Sequence, residues 1–336
     1  MKAAVLAVDG GNSKADVALI GAGGELLGAI RGPTISHQAV DIEAGMDRLR
    51  DLVRETARRA ELPSDDHEPF AEVGVYSLAG ADYPSDIRLL EAELATRGLS
   101  ATDVVINDTF GALRAGTDRE WGLVLICGQG INAAGIAPDG RRARFDALGE
   151  ISGDWGGGGS IGEAALAAAV RATDGRGPRT RLEHDVPAYF GLAEPAELTR
   201  ALYEGRIRMA RLSELPPVVF AAAVGGDDAA RSIIERLVEE LATMAIALTR
   251  RLDLDGLDPD VVLAGGVFRT TDQRFFDSIL QRIGAVLPNA RLVRLTTPPV
   301  AGAALLGLDR LRGSAVDPET AGRLRTALAD WSAAQA

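Results

Sequence analysis

Two short glycine turns carry the residues best suited to bind phosphate. The first, DGGNSK at 9–14, follows the apolar run AAVLAV, and the second, CGQGIN at 127–132, follows WGLVLI. Paired glycines let the backbone approach an anion closely, and successive N–H groups can point into such a turn. Asp9 could face a metal-bound phosphate, to which Ser13 and Lys14 could donate. Taken alone, the first turn is more often an ordinary Asp-Gly hairpin.

The two turns are not those of the common nucleotide motifs. No GxxxxGK[ST] sequence occurs, and neither turn leads from a strand into a helix as a dinucleotide-binding fingerprint does. Walker-type and Rossmann sites are therefore excluded. A third glycine site, VVLAGGV at 261–267, places small residues at a strand end. They could leave room for a base or ribose, or could simply begin a helix.

A carboxylate follows another strand-like run. Asn107 and Asp108 end the segment VVIND and precede a helical pattern. Asp108 is thus about as consistent with a helix N-cap as with a chemical role. Strand ends in α/β sheets face the ligand crevice, where a carboxylate could accept a proton from an attacking hydroxyl in phosphoryl transfer. Both interpretations stay open at this point.

The elements that position these residues occur twice. The turns at Gly10 and Gly24 are 14 residues apart, and those at Gly128 and Gly140 are 12 apart, which indicates duplication. The predicted strands are 3–9, 15–20, 26–31, 72–78, 103–107, 121–127, 131–137, 260–264 and 291–295. The predicted helices lie within 40–60 and at 84–97, 272–284, 300–312 and 317–333, with further helices in an insertion at about 160–252.

This order predicts an α/β protein of two duplicated domains, each βββαβαβα. We expect a first domain at 1–115 and a second at 116–316, the latter carrying the helical insertion. The helix at about 317–333 is expected to pack back on the first domain. A hinge between the domains is predicted near 114–120.

Composition excludes several classes of protein. The 336 residues carry a formal charge of −12, which disfavours a nucleic-acid partner. No apolar stretch reaches the roughly 20 residues needed to cross a bilayer, and no signal peptide is visible, so we expect a cytoplasmic protein. Cys127 is the single cysteine, which excludes an intrachain disulfide or a cysteine-rich metal site.

Six ordered motifs resemble those of the actin-like ATPase/sugar-kinase superfamily, whose domains have a ribonuclease H-like fold. Within it they are most similar to the N-acetylglucosamine kinase family, which also includes ATPase activators of 2-hydroxyacyl-CoA dehydratases. The motifs are VDGGNSK (8–14), SLAGAD (77–82), INDTFGAL (106–113), LICGQGIN (125–132), GDWGGGGSIG (153–162) and VVLAGGV (261–267).

The resemblance implies transfer of the γ-phosphoryl group of ATP to the 6-hydroxyl of N-acetylglucosamine or a related amino sugar, with Asp108 as the base. It implies Mg²⁺ near Asp9, through water. The implied ATP-binding residues are Gly10, Gly11, Asn12, Ser13, Lys14, Gly128, Gln129, Gly130, Gly265 and Gly266. The implied substrate-binding residues are Ser36, His37, Ser77, Gly80, Ala81, Asn107, Asp108, Asn132, Leu148, Gly149 and Asp154. A homodimer is a further option.

Two departures from the family pattern keep alternatives open. Gly128-Gln129-Gly130-Ile131 stands where the family usually has GTGS, and Gly153-Asp154-Trp155 where it has GDE. One alternative is a sugar-binding regulator of the same fold without turnover. The other is an activator ATPase, which needs two cysteines per subunit for its iron–sulfur cluster, whereas this chain has one.

Overall fold

A computed structural model describes residues 2–62 and 68–335. The chain forms two compact units, one of Met1–Val124 with Leu295–Ala336 and the other of Leu125–Arg294. Each unit is built on one five-stranded mixed sheet. His67, interpreted from its acidic surroundings as a surface residue, lies outside the described residues.

The first unit has the predicted βββαβαβα order. Its strands are β1 (Ala3–Gly10), β2 (Lys14–Ile20), β3 (Leu26–Pro33), β4 (Ala71–Leu78) and β5 (Ser100–Asn107). Its helices in this stretch are α1 (Ile42–Arg59), α2 (Pro84–Arg97) and α3 (Asp108–Gly116). The strand order is β3-β2-β1-β4-β5. Apolar side chains on both faces of β1 explain why this strand is central and buried.

Register brings the ends of three parallel strands together. β1 runs parallel to β4, pairing Gly10 with Leu78, and β4 runs parallel to β5, pairing Leu78 with Asn107. We call the line through these three residues the carboxyl edge of the first sheet. Whatever follows β1, β4 and β5 in sequence starts at this edge.

The second unit repeats the strand order. Its strands are β6 (Gly122–Cys127), β7 (Ile131–Ile136), β8 (Arg142–Arg144), β9 (Asp260–Ala264) and β10 (Arg291–Arg294). Their order is β10-β9-β6-β7-β8. Read from the other end, β8-β7-β6-β9-β10, it matches the order β3-β2-β1-β4-β5 of the first sheet, with β6 in the place of β1. The predicted duplication of the fold is confirmed. The two glycine turns thus connect equivalent strand pairs.

The insertion between β8 and β9 is helical, as predicted. It contains α4 (Gly157–Thr173), α5 (Leu182–Tyr189), α6 (Pro195–Tyr203), α7 (Pro216–Val224) and α8 (Asp228–Leu252). Helix α9 (Gln273–Ile283) then joins β9 to β10. Buried leucine, isoleucine and methionine residues recur along one face of α8, which gives this 25-residue helix its packing side. No helix in the described parts of the chain is long and apolar enough to span a membrane.

The last two helices correct the expected domain limits. Helix α10 (Val300–Arg312) was expected in a second domain ending at 316, but it belongs to the first unit. Its buried face, including Leu305, packs with Val5 and Ala7 of β1 in one apolar cluster. Helix α11 (Pro318–Ala333) adds Leu324 and Leu328 to the same cluster. Because α10 and α11 bury apolar side chains on the first sheet, the chain returns to the first unit after β10.

Glycine allows α10 to approach α3 closely. A Cβ on Gly302 would overlap the carbonyl group of Gly111, and a Cβ on Gly111 would overlap the Ser77 hydroxyl. The two helices are thus packed backbone to backbone at this point, and α3 lies directly on the Ser77 side chain of β4. Any side chain here must push them apart.

We predict that Gly302→Ala destabilises the protein by about 1–3 kcal/mol, the usual cost of overpacking. The matched control is Gly322→Ala in α11, where a Cβ meets no atom within 4 Å and helix propensity favours alanine. Urea unfolding of both variants checks the prediction. A Gly302→Ala variant as stable as Gly322→Ala would contradict the close packing of α3 on α10.

Candidate active site

The first glycine turn is a tight hairpin with exposed polar groups. The Gly11 amide donates to the Lys14 carbonyl at 3.0 Å, and Thr34 Oγ1 donates to the Gly11 carbonyl at 2.8 Å. The side chains of Asn12, Ser13 and Lys14 are exposed. The hairpin therefore presents donors to solvent from a fixed backbone, as an anion site requires.

Gly10 has a packing role beneath this hairpin. A Cβ on it would lie 2.6 Å from Leu78 Cδ2 and 3.1 Å from Ile35. Its carbonyl oxygen accepts the Ala79 amide at 2.8 Å. Gly10 thus holds the hairpin against the end of β4, at the carboxyl edge.

The helix cap next to the predicted base is Asn107, not Asp108. Asn107 Oδ1 accepts from the Thr109 amide at 3.2 Å and from the Thr109 hydroxyl at 2.6 Å, and its Nδ2 donates to Asp82 Oδ1 at 3.0 Å. Asp108 is the first residue of α3 and is half-buried. The cap of α3 is therefore Asn107, and Asp108 stays the predicted catalytic base.

Asp9 shares an electrostatic environment with Asp108. Burial, together with the charges of Asp16 and Asp108, raises the pKa of Asp9 to about 8, although Lys14 and Arg31 partly offset these effects. These carboxylates converge because β1 and β5 end at the same edge and Asp16 pairs with Asp9 across the β1–β2 hairpin. Like charges held this close are stabilised by a bound cation.

The donor set fits Mg²⁺ bound to a nucleotide. Mg²⁺ commonly takes one or two carboxylates and completes its shell with water and substrate phosphates. Asp9 could supply such a carboxylate through a bound water. Within residues 2–62 and 68–335, no group of three or more acidic, histidine or cysteine side chains forms a metal site of its own. A metal here would rely on its phosphate ligands.

Asp16 and Arg31 belong to the site but escaped prediction. Asp16 is fully buried and accepts from Arg31 Nε at 2.7 Å and Arg31 Nη2 at 2.9 Å. Lys14 Nζ also reaches Asp16, at 3.3 Å. The sequence carried one signal that could have identified Asp16. It is a charged residue two positions before Ala18 and four before Ile20, so it lies on the same apolar face of β2 as these two core residues.

Most substrate residues predicted in the first unit are buried. Ser36, Ser77, Gly80, Ala81 and Asn107 fall in this group. The Ser77 hydroxyl is buried against Gly111 and has no hydrogen-bond partner among the described residues, so Ser77 stays a predicted substrate residue. Asn107 is occupied by capping and by Asp82, so it positions rather than presents its amide. The strand-end motif is thus used mainly for packing.

His37, another predicted substrate residue of the first unit, is half-buried. Its ring lies against Gly80, whose φ of +85° only glycine adopts readily, and Gln38 Nε2 next to it donates to Asp82 at 3.0 Å. His37 Nδ1 is buried without a hydrogen-bond partner among the described residues. A ligand hydroxyl is one group that could satisfy it.

In the second unit, the other glycine turn is fixed on the start of α4. The Gly158 amide donates to the Gly128 carbonyl at 2.8 Å, and the Gly159 amide donates to the Gln129 carbonyl at 2.9 Å. Gly157 has a φ of +75°, and a Cβ on it would overlap the Gly130 backbone. A Cβ on Gly158 would likewise overlap the Ser213 backbone, so backbone meets backbone at both positions. Gln129 and Gly130 remain exposed.

Gly265 joins this turn from the end of β9. Its φ is +110°, and a Cβ would overlap the Cys127 carbonyl. Burial raises the pKa of the Cys127 thiol to about 12, which keeps it protonated and unreactive. Gly266 opens onto a cavity of about 410 Å³ in this unit, between α7 and the segment after β9. Its lining includes Pro217, Phe220, Val224, Gly266, Arg269 and Thr271.

The glycine-rich segment 149–162, which carries Asp154 and Trp155, is predicted by its composition to be a binding loop, and its first part is held by its own hydrogen bonds. Ser152 Oγ accepts from the Leu148 amide at 2.7 Å and donates to Asp154, whose amide donates to the Gly149 carbonyl at 3.0 Å. Asp154 is half-buried, whereas Leu148 and Gly149 are exposed. Arg236 of α8 lies over the Trp155 ring at 4.0 Å. The loop is thus built around a carboxylate rather than left as a linker.

Asn132 makes a local contact at the start of β7. Its Oδ1 accepts from the Ala133 amide at 2.8 Å, and the residue is half-buried. Among the described residues, no hydrogen bond of Asn132 Nδ2 is found. Asn132 stays a predicted substrate residue.

Comparison with known proteins identifies the family. Residues 6–307 match the BadF/BadG/BcrA/BcrD ATPase family. The chain belongs to this family. The predicted resemblance is thereby confirmed, and family membership accounts for the paired glycine turns on equivalent strands.

Relatives of this ATPase family cover most of the chain. The N-acetylmuramic acid/N-acetylglucosamine kinase of Clostridium acetobutylicum is 27% identical over 228 residues, 68% of this chain and 74% of that protein. The N-acetyl-D-glucosamine kinase of Dictyostelium discoideum is 26% identical over 312 residues, 90% and 97% of the two chains. A solved structure from Chromobacterium violaceum, described as a candidate N-acetylglucosamine kinase, shares the fold. It matches with a TM-score of 0.70 at 22% identity, over 91% of this chain and 99% of that one.

The contact between α4 and the second turn generates a prediction for this ATPase. We expect Gly157→Ala to weaken MgATP binding about tenfold, comparable to losing one hydrogen bond to a charged group, because its Cβ displaces Gly130. Gly153→Ala is the control, since Gly153 has a similar φ of +79° but open space around it. Titration calorimetry measures both. Equal affinities for the two variants would show that the turn does not bind nucleotide.

Proposed function

We propose that the chain is an ATP-dependent sugar kinase that phosphorylates the 6-hydroxyl of N-acetylglucosamine or a related amino sugar. Family membership supports the use of ATP. The two curated relatives are kinases of N-acetylglucosamine, and one of them also acts on N-acetylmuramic acid. These substrates are the first to test.

The position of Asp108 is the observation that carries the proposal. It stands at the carboxyl edge, beside the exposed hairpin of residues 11–14, in the electrostatic field of Asp9. Asn107 relieves it of the capping role and is itself fixed by Asp82. A half-buried carboxylate in that position can accept a proton.

In the proposed reaction, the sugar 6-hydroxyl attacks the γ-phosphorus and Asp108 accepts its proton. The new oxygen–phosphorus bond forms as the bond to the β–γ bridging oxygen breaks, releasing ADP. Mg²⁺, held by Asp9 through water, would offset the charge of the phosphates. The chain's own part is to orient the hydroxyl and hold the proton acceptor.

We assign candidate nucleotide contacts within each unit, taken by itself. In the first, the amides and side chains of Asn12, Ser13 and Lys14 suit phosphate oxygens. In the second, the exposed turn Gly128–Gly130 suits a phosphate, and the cavity at Gly266 suits the base. That cavity combines the apolar wall of α7 with the polar groups of residues 269–272.

We assign the sugar to His37 and Asp154 among the polar side chains. His37 Nδ1 is buried without a hydrogen-bond partner among the described residues, and Ser152 donates to one of the two carboxylate oxygens of Asp154. Leu148, Gly149, Asn132 and Gly80 stay in the proposed set. Trp155, stacked by Arg236, replaces an acid of the family pattern and makes this side of the loop more apolar.

The alternatives are separable. An activator ATPase would need cysteine ligands for a cluster shared between subunits, whereas Cys127 is buried at the end of β6 with its thiol kept protonated. A regulator would bind sugar and nucleotide without turnover. We further propose that the kinase acts in the cytoplasm, where ATP is supplied. A homodimer stays a prediction for sedimentation analysis.

We predict that Asp108→Asn lowers kcat about 10²–10⁴-fold, the usual contribution of a positioned base, with little change in MgATP affinity. Stability should also be retained because Asn107 supplies the cap. An ADP-release assay over amino sugars and hexoses measures the rates, and calorimetry measures ATP binding.

The matched control is Asp228→Asn. Asp228 is also the first residue of a helix, α8, and also follows a capping residue, Asp227. Loss of the Asp228 carboxylate should leave kcat unchanged. If the unaltered protein phosphorylates no sugar, the kinase proposal fails and the regulator is favoured. If Asp108→Asn retains normal rates, another group is the base.

A further inference from the structure

Helix α11 reaches the strand that supports the phosphate hairpin. The guanidinium of Arg31, on β3, lies over the Trp331 ring at 5.5 Å, and Arg31 Nη2 donates to Ser332 Oγ at 3.1 Å. Both contacts come from the last turns of a helix some 300 residues away in sequence. Arg31 is thus held on its outer side by α11.

On its inner side Arg31 holds Asp16. The pair sits directly across β2 and β3, and the two hydrogen bonds of 2.7 and 2.9 Å are bidentate. Asp16 is fully buried while Arg31 is 23% exposed at its side chain. Bidentate Arg–carboxylate pairs fix orientation as well as charge.

Asp16 also binds the lysine of the hairpin. Lys14 Nζ lies 3.3 Å from Asp16 Oδ2, the oxygen that Arg31 Nη2 contacts as well. Lys14 is half exposed and ends at the hairpin's surface. One carboxylate oxygen is therefore shared between a fixed guanidinium and a mobile ammonium, and the two cations compete for it.

We propose that α11 is a positioning element for the phosphate hairpin, acting through Trp331, Ser332, Arg31 and Asp16 on Lys14. By keeping Arg31 on Asp16, α11 leaves Lys14 weakly held and able to turn to a nucleotide phosphate. The inference rests on the proposed assignment of this hairpin to nucleotide. Trp331 and Ser332 are positioning residues, since neither contacts the hairpin itself.

Loss of the Trp331 ring should shift the competition toward Lys14. Arg31 would then be less constrained, Asp16 would retain its buried charge, and Lys14 would be the nearest cation left to neutralise it. Lys14 would be drawn back from the phosphate. Nucleotide affinity should fall although no residue in contact with nucleotide has changed.

The chain's composition provides a direct probe, because Lys14 and Lys2 are its two lysines. Reductive methylation with ¹³C-formaldehyde keeps the lysine charge and yields resolvable NMR signals from Lys14, Lys2 and the terminal amine. Without any nucleotide, Trp331→Ala should move the Lys14 signal and leave the Lys2 signal in place. Trp331→Phe, which keeps an aromatic face, should restore the position of the unaltered protein.

Affinity is the second readout, on the unmethylated full chain. We expect Trp331→Ala to weaken MgATP binding about tenfold, comparable to a lost hydrogen bond between charged groups, Ser332→Ala to weaken it less, and Trp331→Phe to change it less than about twofold. The matched control is Trp121→Ala, because Trp121 also carries a stacked arginine in the same unit, Arg119 at 5.2 Å, whereas Trp331 carries Arg31. Thermal unfolding checks that each variant is folded.

An unmoved Lys14 signal in folded Trp331→Ala would overturn the inference, as would an effect of Trp121→Ala equal to that of Trp331→Ala. The NMR result stands apart from the kinase proposal, because it needs neither nucleotide nor turnover. If Lys14 moves but the unaltered protein does not bind MgATP, the assignment of the hairpin to nucleotide is wrong and the link from α11 to Lys14 holds.

Discussion

Parallel pairing of β1 with β4 and of β4 with β5 is the constraint on which the rest of this protein depends. It forces three chain segments of unrelated sequence to emerge side by side at residues 10, 78 and 107. The hairpin with Asp9, the turn ending at Asp82 and the start of α3 at Asp108 are neighbours for that reason. Helices cover the sheet on both faces and leave this edge as the place where polar groups gather.

Carboxylates that are buried close together repel one another. Asp16 and Asp9 differ in how this repulsion is relieved. Asp16 is neutralised by a bidentate arginine on the adjacent strand, so its charge can be buried completely. Asp9 forms no such bidentate pair within residues 2–62 and 68–335, and its pKa rises to about 8. The difference separates a structural carboxylate from one suited to a cation, although the two lie opposite each other in one hairpin.

Several glycines in this protein are important because they let two backbone segments approach closely, more than because they make the chain flexible. In the second unit, Gly157 and Gly265 adopt positive φ angles and bring α4 and the end of β9 against the backbone of residues 127–130. In the first unit, Gly111 and Gly302 let two helices pack without intervening side chains. A glycine-rich stretch such as 156–159 is consequently rigid, its amides bonded to the neighbouring turn.

The sequence by itself determined the strand and helix order, the duplication and the family, because apolar periodicity and glycine turns are local features that survive without tertiary information. It also singled out Asp9, Lys14, Asp108 and Asp154. Only the tertiary structure decided that Asn107 is the cap, that Ser77 faces the core and that α10 returns to the first sheet. It alone joined Trp331 and Arg31 to the hairpin. Those features depend on register and on contacts between residues far apart in the chain, which no local pattern encodes.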